Sequence, residues 1–261
     1  MNFKTHIPNI LTLLNLLAGV IAVMLAVSDR LIEAALFVLI GIFFDFFDGW
    51  VARLLNVQTE LGKQLDSLAD MVTSGVVPGI VMFQLFMKTI HQDWMDGLSC
   101  EIGNWMVFEE TTTMTLGGTG IHALPFIGLL LTLAAAYRLA NFNIDDRQTT
   151  SFIGLPTPAM TLFVLSLPLI LAYSDNVFIK NLVLNKYVLI AITVILSFLM
   201  NAEIPLFSLK LKNFSLKNNW IELVFILISI VALVVLKFVA IPLIIVFYVL
   251  LSLLKNSLLK A

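Results

Sequence analysis

Four aspartates lie within one short stretch of this 261-residue chain, at a spacing that could support chemistry. The stretch reads DFFDGWVARLLNVQTELGKQLDSLAD. It places Asp45 three residues before Asp48, and Asp66 four residues before Asp70. Residues three or four apart share one face of an α-helix, so each pair points in one direction. Two such helices facing each other would form an acidic cage. Carboxylates in apolar surroundings are costly unless they bind cations or take part in catalysis.

Strongly apolar sequence flanks this stretch on both sides. The chain is 60% hydrophobic and 12% charged, with a mean hydropathy of +1.01, which is typical of integral membrane proteins. A hydrocarbon core about 30 Å thick requires roughly 20 apolar residues per helix. The sequence therefore predicts an all-α, polytopic membrane helix bundle of about eight transmembrane helices, formed by a single domain over residues 1–261. The predicted spans are about 8–28, 31–53, 66–88, 119–141, 156–174, 184–201, 219–236 and 238–255.

The distribution of Lys and Arg predicts the orientation of the bundle. Ten of the 15 basic residues fall at the ends that include the N-terminus and the acidic stretch, and five at the opposite ends. The positive-inside rule then places both termini and the acidic stretch on the cytoplasmic side. The polar stretch at about 89–118 is predicted to be an outer surface loop.

Composition also argues against several classes of site. Three His and the single Cys100 do not favour a zinc site or a disulfide framework. The net charge of −2 does not point to a nucleic-acid partner. The first apolar segment, from Ile7, is expected to be a retained helix and not a cleaved signal peptide.

The acidic stretch resembles a known signature. Eight residues carry the resemblance: Asp45, Asp48, Gly49, Ala52, Arg53, Gly62, Asp66 and Asp70. Their identities and spacing resemble the signature of the CDP-alcohol phosphatidyltransferase family, whose members move a phosphatidyl group from a CDP-linked lipid to an alcohol and release CMP. The resemblance implies a membrane-embedded transferase of phospholipid biosynthesis, with CDP-diacylglycerol as donor, and a homodimer. The competing interpretation is a solvated charged hairpin between two membrane helices.

The resemblance also implies roles for the four acids. Asp45, Asp48 and Asp66 are expected to hold two divalent ions, Mg²⁺ or Mn²⁺, and Asp70 to complete the site. Carboxylate oxygens are hard ligands that suit these metals, and two ions can clamp the attacking and leaving oxygens of a displacement. By the same resemblance, Asp70 is the general base for the acceptor hydroxyl.

The residues between the acids are expected to bind the CDP-lipid. Gly49 and Gly62 lack side chains, so nucleotide and backbone can approach closely. Ala52 keeps the same face shallow. Arg53 can pair with a donor phosphate through two parallel hydrogen bonds.

The first span carries a polar face formed by Asn9, Thr12 and Asn15, which are spaced by three residues. We expect this face to form one wall of the substrate pocket, with Asn9 and Thr12 toward the CDP-lipid and Asn15 toward the acceptor. The alternative is that these side chains form polar contacts between helices.

Arg138 lies within the apolar fourth span, and a charged residue at such a position is a candidate site residue. The alternative is an Arg that extends its charge to the membrane surface.

The chain also resembles the integral-membrane members of the family that use L-serine. Three stretches carry this resemblance: IPNILTLLNLLAG, RLANFN and GLPTPA. The carboxylate of serine needs a cation, so Arg138 is predicted to bind it. Asn15, Asn141 and Asn143 are predicted to contact the amino or carboxyl group.

Two other functions remain open at this point. The same chemistry could use glycerol 3-phosphate or an inositol-type acceptor, but a phosphorylated acceptor needs several cations. Only Arg138, Arg147 and Lys63 are expected nearby, which favours serine.

The chain could instead be a transporter with the four Asp as its transport site. Transport sites usually lie near the membrane midplane, whereas these acids cluster at one face.

Overall fold

A computed structural model describes residues 6–57, 59–90, 123–144, 152–206 and 220–260. The predicted outer loop beyond Ile90, Cys100 and Arg147 lie outside these ranges. Within them the chain is almost entirely helical. The helices are α1 (His6–Val27), α2 (Leu31–Leu55), α3 (Glu60–Asp70), α4 (Val77–Ile90), α5 (Leu130–Ile144), α6 (Thr157–Tyr173), α7 (Val177–Val183), α8 (Lys186–Asn201), α9 (Trp220–Leu236) and α10 (Ala240–Lys260).

Length and apolar composition identify four stretches of the described chain as candidate membrane spans, or five if the bent pair α7 and α8 counts as one. The four are His6–Val27, Glu60–Ile90, Leu124–Ile144 and Leu223–Leu254. The last contains the turn between α9 and α10. Phe225 of α9 stacks on Phe247 of α10 with ring centroids 5.8 Å apart, so the two helices fold back on each other. The predicted all-α membrane bundle is confirmed, and the count of about eight spans is approximate.

Small side chains allow α1 and α2 to pack closely along their length. Ala22 and Ala26 of α1 and Ala34 and Ala35 of α2 are almost fully buried. Small residues at such contacts let helix backbones approach each other within a membrane. The third and fourth helices then pack against α1, which brings the acidic part of α3 next to the polar face of the first span.

A tight turn between α2 and α3 places the two acidic pairs opposite each other. Helix α2 ends at Leu55, and Asn56 caps it in the left-handed conformation with φ of 51°, a common helix ending. Helix α3 begins at Glu60 after Thr59, whose side chain accepts a hydrogen bond from the backbone N–H of Gly62. The nearer Asp of each pair lies about two helical turns from this connection, roughly 10 Å along its helix. The two acidic pairs therefore lie at about the same height along the two helices.

A π-helical turn, Met71–Val76, joins α3 directly to α4. Such turns are rare and often occur at functional sites. Two threonines from neighbouring helices bind its carbonyl groups: Thr161 Oγ1 donates to Ser74 O at 2.9 Å, and Thr132 Oγ1 donates to Gly75 O at 3.0 Å. Helices α5 and α6 thus hold the turn in place.

Two short strands connect the start of α6 to the end of α8. Strands β1 (Phe152–Ile153) and β2 (Pro205–Leu206) pair antiparallel. Gly154, which follows β1, has φ of +74°, and a Cβ atom there would lie 2.5 Å from the carbonyl oxygen of Met200. Both the backbone angle and the close approach require glycine. The pair fixes one end of these two helices relative to each other.

Candidate active site

Three of the four aspartates bring their carboxylates together between α2 and α3. Asp45, Asp48 and Asp66 each offer one oxygen, and the three oxygens lie within 4.8 Å of one another. Oδ1 of Asp66 is buried, and no residue that the structure describes forms a hydrogen bond to it. Three like charges at this distance repel one another unless a cation lies between them. Hard oxygen donors that include an unpaired carboxylate oxygen fit Mg²⁺ or Mn²⁺, and these three residues would hold the metal.

Asp70 lies one helical turn beyond Asp66 and accepts a hydrogen bond from another helix. Nδ2 of Asn15, on α1, donates to Oδ1 of Asp70 at 3.5 Å. The charges of Asp66, Asp48 and Arg138 also act on this carboxylate. The guanidinium attracts the ionised form, and the two acids repel it. The carboxylate of Asp70 is therefore close enough to two acids of the cluster and to the buried Arg138 of α5 for their charges to act on it.

Thr12 on α1 contacts one carboxylate of the acid cluster. Its hydroxyl donates to Oδ2 of Asp48 at 2.5 Å and lies 3.1 Å from the carbonyl oxygen of Pro8. The hydroxyl has one proton, and an ionised acceptor forms the stronger bond. Thr12 therefore orients Asp48, in addition to facing the space that the sequence assigns to the CDP-lipid.

A cavity of about 790 Å³ opens beside the acid cluster. Its volume is that of a typical small-molecule site, about 300–1,000 Å³. Asp48 and Asp66 line it, so a ligand in the cavity would reach the carboxylates. The structure brings together here all six residues predicted to bind the donor, namely Asn9, Thr12, Gly49, Ala52, Arg53 and Gly62.

The two glycines of the cavity act in different ways. A Cβ atom at Gly49 would meet nothing nearer than Nη2 of Arg53 at 4.0 Å, so this position leaves open space for a ligand. A Cβ atom at Gly62 would lie 3.1 Å from Oγ1 of Thr59 and 3.2 Å from Oδ1 of Asn9. Gly62 therefore allows α3 to approach α1 closely, and Gly49 shapes the cavity itself.

Two cations lie at the wall of the cavity. Arg53 is exposed, and its Nε donates to the carbonyl oxygen of Gly49 at 2.9 Å. That bond orients the guanidinium along the wall and leaves its Nη groups available to a ligand. Lys63 is also exposed, and its Nζ donates to the carbonyl oxygen of Asn143 at 3.1 Å. The cavity thus combines carboxylates for a metal with positive charge for an anionic ligand.

Arg138 is buried in α5 at 7% exposure, and its Nε has no hydrogen-bond partner in the described part of the chain. A buried guanidinium with an unpaired N–H is costly. The charge of Arg138 reaches Asp70, and its contact with an acceptor stays a prediction. An Arg that extends to the membrane surface would be exposed, so that alternative is not favoured.

The three asparagines predicted to bind the acceptor differ in burial and in their contacts. Asn143 is half-buried, and its Nδ2 donates to Oγ of Ser67 on α3 at 2.8 Å. Asn141 is exposed near the end of α5. Asn15 is fully buried, with its amide between Asp70 and Thr73. Direct contact of these asparagines with an acceptor stays a prediction.

Sequence reasoning missed Thr73, a buried residue of the π-helical turn, and Ser67. Oγ1 of Thr73 donates to Oδ1 of Asn15 at 2.9 Å. Thr73 lies three residues after Asp70, and Ser67 lies one residue after Asp66. Their proximity to the acids in the sequence could have identified them as candidate site residues. Their partners were not predictable, because these lie on α1 and α5, more than 50 residues away in sequence.

Known proteins are similar to this chain over most of its length. The profile of the family described as CDP-alcohol phosphatidyltransferase matches residues 5–199. The CDP-diacylglycerol–serine O-phosphatidyltransferase of Bacillus subtilis is 31% identical over 176 residues, covering 64% of this chain and 80% of that protein. The archaetidylserine synthase of Methanothermobacter thermautotrophicus is 26% identical over 65% of this chain and 60% of its own length. A Helicobacter pylori CDP-diacylglycerol–serine O-phosphatidyltransferase is 28% identical over 60% and 54%.

Proposed function

The chain belongs to the CDP-alcohol phosphatidyltransferase family, and on that basis we propose that it transfers the phosphatidyl group of CDP-diacylglycerol to L-serine and releases CMP. One observation carries the choice of serine: the buried guanidinium of Arg138, whose Nε has no partner among the described residues, lies close enough to Asp70 for the two charges to interact. The relatives whose names specify serine or a serine lipid support the same choice.

The donor would occupy the cavity of about 790 Å³. Its cytidine and ribose would lie in the open space at Gly49 and beside Asn9, and a phosphate would pair with Arg53. Asp45, Asp48 and Asp66, with Asp70 nearby, would hold two divalent ions, Mg²⁺ or Mn²⁺. When bound, these ions neutralise the diphosphate and stabilise the charge that develops on the leaving oxygen.

The reaction replaces one phosphorus–oxygen bond with another. The serine hydroxyl attacks the phosphorus that carries the diacylglycerol, and Asp70 accepts its proton. The bond from this phosphorus to the bridging oxygen breaks, and CMP leaves with that oxygen. Asn15 donates a hydrogen bond to Asp70, and the positive charge of Arg138 acts on the same carboxylate; the hydrogen bond would keep the carboxylate directed at the acceptor.

The carboxylate of serine would bind Arg138, since a guanidinium recognises a carboxylate through two parallel hydrogen bonds. Asn141 and Asn143 lie toward the end of the same helix and would contact the amino group or the second carboxylate oxygen. Glycerol 3-phosphate carries two negative charges and would require more cations than this one buried arginine. Family membership disfavours a transporter. The homodimer implied by the family stays a prediction.

Acceptor choice can be tested with the purified protein in detergent and CDP-diacylglycerol–detergent mixed micelles. CMP release with L-serine, glycerol 3-phosphate and inositol, each measured with Mn²⁺ and with excess chelator, separates the alternatives. We expect release with L-serine and metal, none with chelator, and at least about tenfold lower kcat/KM with the other acceptors. Release that depends only on glycerol 3-phosphate or inositol would assign the chain to another acceptor, and no release with any acceptor would reject the transferase.

We further propose that the active site faces the cytoplasm, because Lys and Arg are concentrated at the ends of the helices that carry it. A single Cys placed at exposed Leu61, in a Cys100→Ser background, should react with an impermeant maleimide only after cells are opened. A single Cys at exposed Asp175, beyond the opposite end of α6, should react in intact cells. The reverse pattern would place the site outside.

A further inference from the structure

The amide of Asn15 lies between a carboxylate and a hydroxyl. Its Nδ2 is 3.5 Å from Oδ1 of Asp70, and its Oδ1 accepts a hydrogen bond from Oγ1 of Thr73 at 2.9 Å. Asn15 has no exposed surface, and Thr73 is 1% exposed. Both ends of the amide therefore contact protein groups, which leaves little opportunity for a ligand to replace either contact.

Two glycines enclose this arrangement. A Cβ atom at Gly41 would lie 2.8 Å from Oδ1 of Asn15 and 2.8 Å from Cγ2 of Thr73. A Cβ atom at Gly19 would overlap Oγ1 of Thr73. Helix α2 therefore packs closely against both side chains, and α1 packs closely against Thr73, which restricts the positions that these side chains can take. The π-helical turn after α3 brings Thr73 into this space.

The chemistry of the three groups selects one orientation of the amide. The hydroxyl of Thr73 can donate to the amide oxygen, and the amide N–H can donate to the carboxylate of Asp70. The opposite orientation would direct the amide oxygen at the carboxylate, where the two acceptors repel. Partners of this kind orient catalytic and metal-binding groups in many enzymes.

We propose that Asn15 and Thr73 are positioning residues, which hold the carboxylate of Asp70 in the orientation that accepts the proton of the acceptor hydroxyl. This inference rests on the proposed function. In this inference, Asn15 acts through Asp70 and does not contact the acceptor directly. Loss of either residue therefore lowers the rate of the chemical step and leaves binding of the CDP-lipid unchanged.

Thr73→Val tests the inference because valine has nearly the shape of threonine and lacks the hydroxyl. We expect a kcat about 3- to 10-fold lower, from the loss of one hydrogen bond, with KM for CDP-diacylglycerol within about twofold of wild type. Thr73→Ser, which keeps the hydroxyl, should restore kcat. Asn15→Leu should lower kcat by about 10- to 100-fold. Binding of CDP-diacylglycerol, measured without acceptor, should be unchanged in all three variants.

Thr161→Val is the matched control. Thr161 is equally buried and bonds to the same π-helical turn through Ser74 O, and its hydrogen bonds among the described residues go to backbone carbonyl groups and not to an acid. It should lose thermal stability in detergent without a change in kcat. If Thr73→Val retains wild-type kcat, or Thr73→Ser fails to restore it, positioning is rejected. A selective rise in KM for serine in Asn15→Leu would instead make Asn15 an acceptor contact. A wild-type protein inactive with every acceptor rejects the proposed function together with this inference.

Discussion

Replacing any one of Asp45, Asp48, Asp66 or Asp70 with Asn is expected to lower the rate of CMP release by at least about 100-fold. The change keeps the size of the side chain and removes its charge. Three of these carboxylates present oxygens within 4.8 Å of one another, a cluster suited to a divalent cation. Loss of one charge should weaken binding of the proposed metal, and in Asp70 it should also remove the proposed base. The rate is measured with saturating CDP-diacylglycerol and L-serine over a range of Mn²⁺ concentrations.

The shape of the Mn²⁺ dependence separates the roles of the acids. Variants of Asp45, Asp48 and Asp66 should require more Mn²⁺ for half-maximal rate, and Asp70→Asn should stay slow at any concentration. Glu33→Gln is the matched control, because Glu33 is also a carboxylate of α2 but pairs with Arg30 near the opposite end of that helix. It should be as active as wild type. Near-normal rates in two or more of the four Asn variants would contradict the metal-site assignment.

Replacing Arg138 with Ala is expected to raise KM for L-serine by roughly 30- to several thousand-fold, with KM for CDP-diacylglycerol nearly unchanged. The estimate follows from the loss of one partner of a buried, hydrogen-bonded charge pair, about 2–5 kcal/mol at about 1.4 kcal/mol per tenfold. Arg138→Lys should be nearly as impaired, because an ammonium group cannot form the two parallel hydrogen bonds of a guanidinium. Initial rates with each substrate varied in turn provide both constants.

The opposite result, a raised KM for CDP-diacylglycerol and an unchanged KM for serine, would change the assignment of Arg138. A variant that binds CDP-diacylglycerol weakly and serine normally would make Arg138 a ligand of the donor phosphate, and the main reason for choosing serine would be lost. Arg30→Ala serves as control, because Arg30 is an exposed cation that pairs with Glu33 on the side away from the acids. It should leave both KM values unchanged.

The helical architecture and the acid cluster were predictable because local patterns determine them. Apolar runs of span length identify membrane helices without knowledge of their neighbours, and the observed α1, α2 and α6 lie within about two residues of the predicted boundaries. The spacing of Asp45 with Asp48 and of Asp66 with Asp70 fixes which side chains share a helix face. The short turn after α2 then leaves one simple way to bring the two faces together.

The contacts that orient the acids were not predictable in the same way. The sequence assigned Asn15 to the acceptor and Thr12 to the CDP-lipid, whereas their side chains also bond to Asp70 and Asp48. Which side of α1 meets α3 depends on tertiary packing, not on the periodicity of either helix. The π-helical turn containing Thr73 changes the helical register locally, and no pattern in the sequence MVTSGV predicts this turn.

The most direct test of phosphatidyl transfer to serine follows one oxygen atom. Purified protein is incubated with Mn²⁺, CDP-diacylglycerol and L-serine labelled with ¹⁸O in its hydroxyl group, and the lipid and nucleotide products are analysed by mass spectrometry. We expect phosphatidylserine that retains the ¹⁸O label and unlabelled CMP in equal amount, because the serine oxygen becomes the bond to phosphorus and CMP leaves with the bridging oxygen. Unlabelled phosphatidylserine, labelled CMP, or CMP release without a serine lipid would contradict this reaction.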